Sequence, residues 1–277
     1  MSFKIVVDSC CDLPPAMLKD PHFVKVPLTI RVGESTFVDD DTFDQGDLLW
    51  SMRHSEAAPS TACPSPQAYL DAYQGADDVY VVTLSALLSG SHNSAEQARR
   101  LLEEDDPQAN VHVFNSCSAS SGEVLVAKKI RELAEAGLPF KKVVREVEQF
   151  IYRMKTLFVL ESLENLRKNG RLTRLQAVVT SALKIKLLCG ATPEGEICKL
   201  GQALTVKQAL RKMVDHMAED PDHQGKDLVL SHCNCLERAF QVKAMVEEKC
   251  RFASIQVVEA GGITTVYADD GGIVAAY

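Results

Sequence analysis

The chain has 277 residues, 46% of them hydrophobic and 25% charged, the balance of an ordinary globular protein, which excludes collagen-like, disordered and coiled-coil architectures. Its net charge is −8 at pH 7, and no run of Lys and Arg forms a basic cluster. Nothing in it is built to hold nucleic acid or an anionic membrane, so small-molecule or protein partners are expected.

Against a usual domain size of about 100 to 200 residues, this length allows one large or two ordinary domains. No apolar run reaches the roughly 20 residues of a membrane helix. The opening MSFKIVVDSCCDLPP enters a strand-like pattern at once instead of a signal-peptide apolar stretch, so a cytosolic protein is expected. Nine cysteines are an odd number for a disulfide framework, and in a reducing compartment most read as buried small hydrophobes.

In chain order, Phe3 to Val7 is a β-branched run that stops at Asp8, Ser9 and the Pro14-Pro15 turn, the pattern of a buried strand ending in a polar loop. Val24 to Ile30, Val79 to Leu84 and Val111 to Phe114 are further strands. Helices are expected over Ser65 to Tyr73, Ser91 to Glu104, Gly122 to Ala136 and Phe140 to Met154, each with apolar residues three to four apart. Strands alternating with helices imply crossover connections and a largely parallel sheet. A boundary is expected near Lys155, giving domains 1–155 and 156–277.

The second part continues with a strand over Leu157 to Leu160 and short helices over Leu163 to Asn169 and Thr173 to Ala182. Leu187 to Thr192 and Ile197 to Leu204 flank Pro193-Glu194-Gly195-Glu196, a hairpin turn signal. Val206 to Met217 and Glu237 to Lys249 read as helices, Asp227 to Ser231 and Ser254 to Glu259 as strands. The expectation is a second α/β domain.

In such sheets ligands sit beyond the carboxyl ends of the strands. Two loops there place hydroxyls at helix entrances. Thr61 lies in a stretch stiffened by Pro59, Pro64 and Pro66, and Ser89-Gly90-Ser91 opens a helix. A helix N-terminus offers free N–H groups and partial positive charge, so a Ser-Gly pair there can cradle a carboxylate or phosphate oxygen. The same residues also read as a helix cap and a loop hydrogen bond.

No GxxxxGK[ST] or GxGxxG loop is present, so no nucleotide or other cofactor site is expected. His232-Cys233-Asn234-Cys235 lacks the CxxC spacing of a structural zinc site, and no metal is assigned. Asp39-Asp40-Asp41 reads as a solvated loop, Asp269-Asp270-Gly271-Gly272 as a turn, and His22, His54, His112, His216 and His223 show no evident partner.

Taken in order, these loops resemble the DegV family of bacterial fatty-acid-binding proteins, and the match spans almost the whole chain. Asp8-Ser9-Cys10-Cys11-Asp12-Leu13-Pro14 resembles the family's D-S-T-x-D-L-P, and Pro59 to Pro66 its T-S-Q-P-S-P loop. Leu84 to Ala95 is similar to L-S-S-x-L-S-G-T-Y-Q-S-A. Asn115-Ser116 with Ser120 and Gly122 is similar to D-S-x-x-x-S-x-G, and Leu166 to Leu172 to L-x-K-G-G-R-I.

The resemblance implies a two-domain α/β fold that encloses one long-chain fatty acid in an apolar tunnel. It implies a non-catalytic carrier that presents the carboxylate to a separate ATP-dependent fatty acid kinase, which forms an acyl phosphate for phospholipid synthesis. Carried over, Thr61 and Ser89 hold the carboxylate with the Gly90 N–H. The family's histidine near the C-terminus is replaced by Tyr267, a phenol that can donate in its place. Leu187, Asn93 and His92 depart from the pattern as well. Two alternatives stand beside this reading: an acyl-transfer or hydrolytic enzyme with Ser89 as nucleophile, and a thiol or metal protein built on Cys233 and Cys235.

Overall fold

The computed structural model describes residues 2–172, 175 and 185–277. Its first half runs β1 (Phe3–Asp8), α1 (Pro15–Leu18), β2 (Phe23–Val26), β3 (Thr29–Val32), β4 (Ser35–Val38), α2 (Gln45–His54) and β5 (Ser60–Ala62). It continues with α3 (Pro66–Tyr73), β6 (Asp78–Thr83), α4 (Ser91–Asp105), β7 (Asn110–Asn115), α5 (Ser121–Glu135) and α6 (Phe140–Arg153). The second half holds β8 (Thr156–Val159), α7 (Glu164–Lys168), β9 (Lys186–Ala191), β10 (Ile197–Ala203) and α8 (Val206–Glu219). After these come β11 (Asp227–His232), α9 (Leu236–Lys249), β12 (Ser254–Glu259), α10 (Gly262–Ala268) and β13 (Ile273–Ala276).

Strands β2-β1-β6-β7 form a four-stranded sheet, parallel throughout. Every residue of β6 is buried, as expected where helices cover both faces and the strand reads as a nearly continuous apolar run. A six-stranded mixed sheet has the order β10-β9-β8-β13-β11-β12, with β11 and β12 parallel and the other pairs antiparallel. Helix α5 packs between these sheets, so one hydrophobic cluster joins Ile5 and Val82 to Val229 and Ala276. The helix starts follow from local chemistry: Ser65 accepts from Ala68 N at 3.2 Å ahead of Pro66, and Thr205 accepts from Gln208 N at 3.2 Å.

The single strand expected over Val24 to Ile30 is two strands. Pro27 has no N–H for a ladder, and the chain passes there from the parallel sheet into a small antiparallel one ordered β4-β3-β5. Thr61 is thus a strand residue, opposite Ile30, and not part of an irregular loop. Helix α10 and strand β13, seven and four residues long, carry no clear period in sequence, and α2, which buries only Leu48 and Leu49, carries none either. The helix expected over Thr173 to Ala182 lies outside the described residues, Leu175 excepted. Four histidines read as unpartnered have partners: His22 with Asp20, His112 with Glu148, His54 with the Trp50 carbonyl, and His223 with the Asp220 carbonyl. No helix among the described residues is long and apolar enough to cross a membrane.

Candidate functional site

Where the carboxyl ends of the parallel strands meet the second sheet, the two halves enclose a cavity of about 740 Å³ of empty space, its open mouth included. Its wall is mostly apolar, with Leu84, Leu88, Phe158, Leu160, Ile197 and Ile263 among the lining side chains. The polar residues on the wall largely satisfy one another. Ser118 Oγ lies 2.6 Å from Thr156 Oγ1, and Ser120 Oγ donates to Asp12. The surface turned to the interior is therefore greasy despite several hydroxyls.

One end is different. Thr61 Oγ1 and Tyr267 Oη are 2.8 Å apart. The Arg171 guanidinium stands over the Tyr267 ring, 5.7 Å from its centroid, and lines the cavity with it. Arg171 Nε donates to the Leu88 carbonyl at 3.1 Å and Nη1 to the Asn169 carbonyl at 2.6 Å. Asn169 Nδ2 in turn donates to the Pro59 carbonyl at 2.9 Å, tying this turn to β5. Arg171 is therefore a half-buried, aimed cation and not a solvated surface charge. In sequence Arg171 is marked only as the arginine of the Leu166 to Leu172 segment, and its stacking on Tyr267 is what shows where it points.

Thr61, Ser89 and Gly90 do not themselves line the cavity; Thr61 meets it through Tyr267, and Ser89 and Gly90, at the α4 entrance, follow the lining residue Leu88. A Cβ on Gly90 would stand 3.2 Å from Cys63 Sγ, which puts this turn against the residues following Thr61. Ser89 Oγ accepts from Ser91 N at 3.2 Å, and no hydrogen bond joins it to Thr61, Tyr267 or a histidine among the described residues. Gly90, not a serine, is the N-cap. The structure thus brings Thr61 and Tyr267 into direct contact and sets Ser89-Gly90 beside them without a bond. The nucleophile reading of Ser89 gains no base from this geometry.

Cys233 and Cys235 are spoken for locally. Cys233 Sγ lies 3.6 Å from Thr265 Oγ1 and Cys235 Sγ 3.5 Å from the Gly272 carbonyl. Burial pushes their thiols up to about 12 and about 11, so neither is a thiolate near neutrality. Among the described residues the group close enough to share a cation is Asp20, His22 and Glu135, where Arg131 already pairs with both acids.

The acidic residues of the opening motif are buried and structural. Asp8 accepts from Leu84 N at 3.0 Å, Ser91 Oγ at 2.7 Å and Cys10 N at 3.1 Å. Because Ser91 spends its proton on Asp8, Tyr69 Oη donates to Ser91, at 2.6 Å. Asp8 therefore clamps both ends of the turn that carries Ser89 and Gly90. Asp39 is no solvated loop residue; it accepts from Gly262 N at 2.8 Å and Ile263 N at 2.9 Å, at the start of α10. Burial raises the carboxyls of Asp8 and Asp39, and that of Asp12 to about 6. Burial and the neighbouring Asp8 raise Glu123 well above the ordinary carboxyl range.

Fold and site together define an α/β protein with an apolar chamber that carries Arg171 and Tyr267 on its wall, the tyrosine bonded to Thr61 behind it. The chain belongs to the DegV family: the family model described as "Uncharacterised protein, DegV family" matches residues 2–277. It is 36% identical to a DegV domain-containing protein of Streptococcus gordonii over 279 aligned positions, covering 100% of this chain and 99% of the relative. A DegV family protein of Ruminococcus gnavus, solved with vaccenic acid, is 44% identical with a TM-score of 0.96, covering 100% of this chain and 99% of that one. The fatty acid kinase (Fak) B3 protein of Streptococcus pneumoniae, loaded with linoleic acid, is 33% identical with a TM-score of 0.91, covering 100% and 99%.

Proposed function

We propose that this protein binds one long-chain fatty acid in the chamber and presents its carboxylate, at the Thr61–Tyr267 end, to a separate ATP-dependent fatty acid kinase for acyl phosphate formation. The observation that carries this reading is the apolar chamber with Arg171 and Tyr267 on its wall, the tyrosine bonded to Thr61. The hydroxyl pair has two protons. One closes the Thr61–Tyr267 bond, and the other is free for an acceptor, which a carboxylate oxygen supplies. Ser89 and the Gly90 N–H at the α4 entrance complete the cradle, and Arg171 balances the charge.

Two similar proteins in which a fatty acid is bound support the ligand class, and the Streptococcus pneumoniae protein's name supports the kinase. Presentation, not catalysis, fits a Ser89 hydroxyl whose partner among the described residues is a backbone N–H and not a base. Nine free cysteines fit a reducing cytoplasm. The regions 1–155 and 156–277 then act as two lobes around the tail.

The energetics divide the labour. Burying a 16-carbon tail at about 0.8 kcal/mol per CH₂ contributes on the order of 10 kcal/mol before binding costs. Each hydrogen bond to the charged head contributes roughly 1.5 to 3 kcal/mol. The tail sets affinity and the head group sets register.

Native mass spectrometry of freshly purified protein, followed by organic extraction, tests the reading. A stoichiometric fatty acid is the expected result, and protein that neither carries nor takes up palmitate would sink it. Thr61→Val and Tyr267→Phe are each expected to raise the palmitate Kd about 10- to 150-fold, the loss of roughly 1.5 to 3 kcal/mol of hydrogen bonding to the charged head.

A further inference from the structure

Helix α10 forms one wall of the chamber through Ile263, Thr264, Tyr267 and Ala268, yet it has only seven residues. So short a helix does not hold itself in water, and its placement must come from outside. The entrance to α10 is held by two carboxylates. Asp12 Oδ1 accepts from Gly261 N at 2.7 Å and from Thr264 Oγ1 at 3.0 Å. Its other oxygen accepts from Ser120 Oγ and from Ser231 Oγ, the latter at 2.6 Å. Asp39 takes the next two N–H groups, those of Gly262 and Ile263.

The fit explains the glycine pair. A Cβ on Gly262 would lie 2.9 Å from the Asp39 carboxyl carbon, and one on Gly261 3.3 Å from Asp12 Oδ1. Asp12 has no ion pair among the described residues and is buried, so hydrogen bonds alone fix it. Ser120 belongs to the start of α5 and Ser231 to β11, so the carboxylate is held on the side away from α10 by the two halves of the molecule at once.

We propose that Asp12 is a positioning residue for the head-group end: by fixing the entrance of α10 it sets where the Tyr267 hydroxyl lies against Thr61. The proposal rests on the reading of that end as a carboxylate site, but it has a readout that does not need the ligand. The ¹³Cζ tyrosine NMR signal of Tyr267, assigned by its loss in Tyr267→Phe, reports the Thr61–Tyr267 hydrogen bond in ligand-free protein.

Asp12→Ala is expected to shift that signal and to raise the palmitate Kd about tenfold. Asp12→Asn is expected to restore both, because its amide oxygen still accepts from Gly261 N while its NH₂ donates to the Ser120 and Ser231 hydroxyls, which rotate to accept. In a Tyr267→Phe background, Asp12→Ala is expected to change Kd less than twofold, the non-additivity of residues acting through one another. An unshifted Tyr267 signal in folded Asp12→Ala, or an equal loss of affinity in both backgrounds, would overturn the proposal. If Asp12→Ala does not fold, Thr264→Val removes one of the same bonds, and an unshifted signal there counts against it equally. Wild-type protein that takes up no palmitate would overturn the ligand reading alone, leaving the signal to decide the positioning role.

Discussion

Ala119→Trp is expected to abolish binding of long-chain fatty acids while leaving the protein folded. Ala119 lies between β7 and α5 and lines the chamber beside Cys10 and Leu84. An indole there occupies space that the tail would otherwise fill. Excluding about five methylenes from burial, at about 0.8 kcal/mol each, removes about 4 kcal/mol and raises Kd roughly 1,000-fold. Displacement of a fluorescent fatty acid measures this, and thermal unfolding checks the fold. A short acid such as octanoate is expected to lose far less, since it leaves the tail region unused. An unchanged palmitate Kd in folded Ala119→Trp would place the tail elsewhere.

The second large effect is on stability against pH. The Asp12 carboxyl is raised from 3.8 to about 6 by burial, only partly offset by its hydrogen bonds. Below about pH 3 it is protonated in folded and unfolded chains alike, and its contribution to stability is full. As pH rises towards and through 6, the unfolded chain has already released the proton that the folded one still holds. The native state then binds more protons than the unfolded one, so stability falls with rising pH.

The difference between about 6 and 3.8, at about 1.36 kcal/mol per pH unit, amounts to about 3 kcal/mol. Asp20, Glu161 and Asp227 are lowered by their hydrogen bonds and cations and act in the opposite direction, so wild type alone does not isolate the effect. Asp12→Asn does. Its stability relative to wild type in urea unfolding is expected to improve by about 2 kcal/mol between pH 4 and pH 7, the part of that difference falling in this window. A difference independent of pH would show that Asp12 does not titrate in this range.

Much of the first sheet was legible because its strands are buried on both faces and its helices are long and periodic: Val79 to Leu84 and Ser91 to Glu104 announce themselves. The small antiparallel sheet was not, since Ser60–Ala62 is three residues long and becomes a strand only by pairing with β3. At the candidate site, Thr61, Ser89, Gly90 and Tyr267 could be named from motif order, but the bond between Thr61 and Tyr267 spans 206 positions of sequence. Arg171 and Asp12 stand in motifs quoted from the sequence, but what they do was hidden for a similar reason. The role of each depends on partners from several distant segments, and an aspartate held by serines looks in sequence like any polar turn.

Strand β13 lies between β8 and β11, at the middle of the six-stranded sheet, yet follows the other five strands in sequence. During synthesis neither neighbour can complete its ladder until residues 273–276 have left the ribosome, whereas the parallel sheet has all its strands by residue 115. The second half must therefore wait with two facing strand edges open, the condition under which chains pair wrongly. Loss of those few residues would remove a central seam of the sheet and leave β8 and β11 without a shared neighbour.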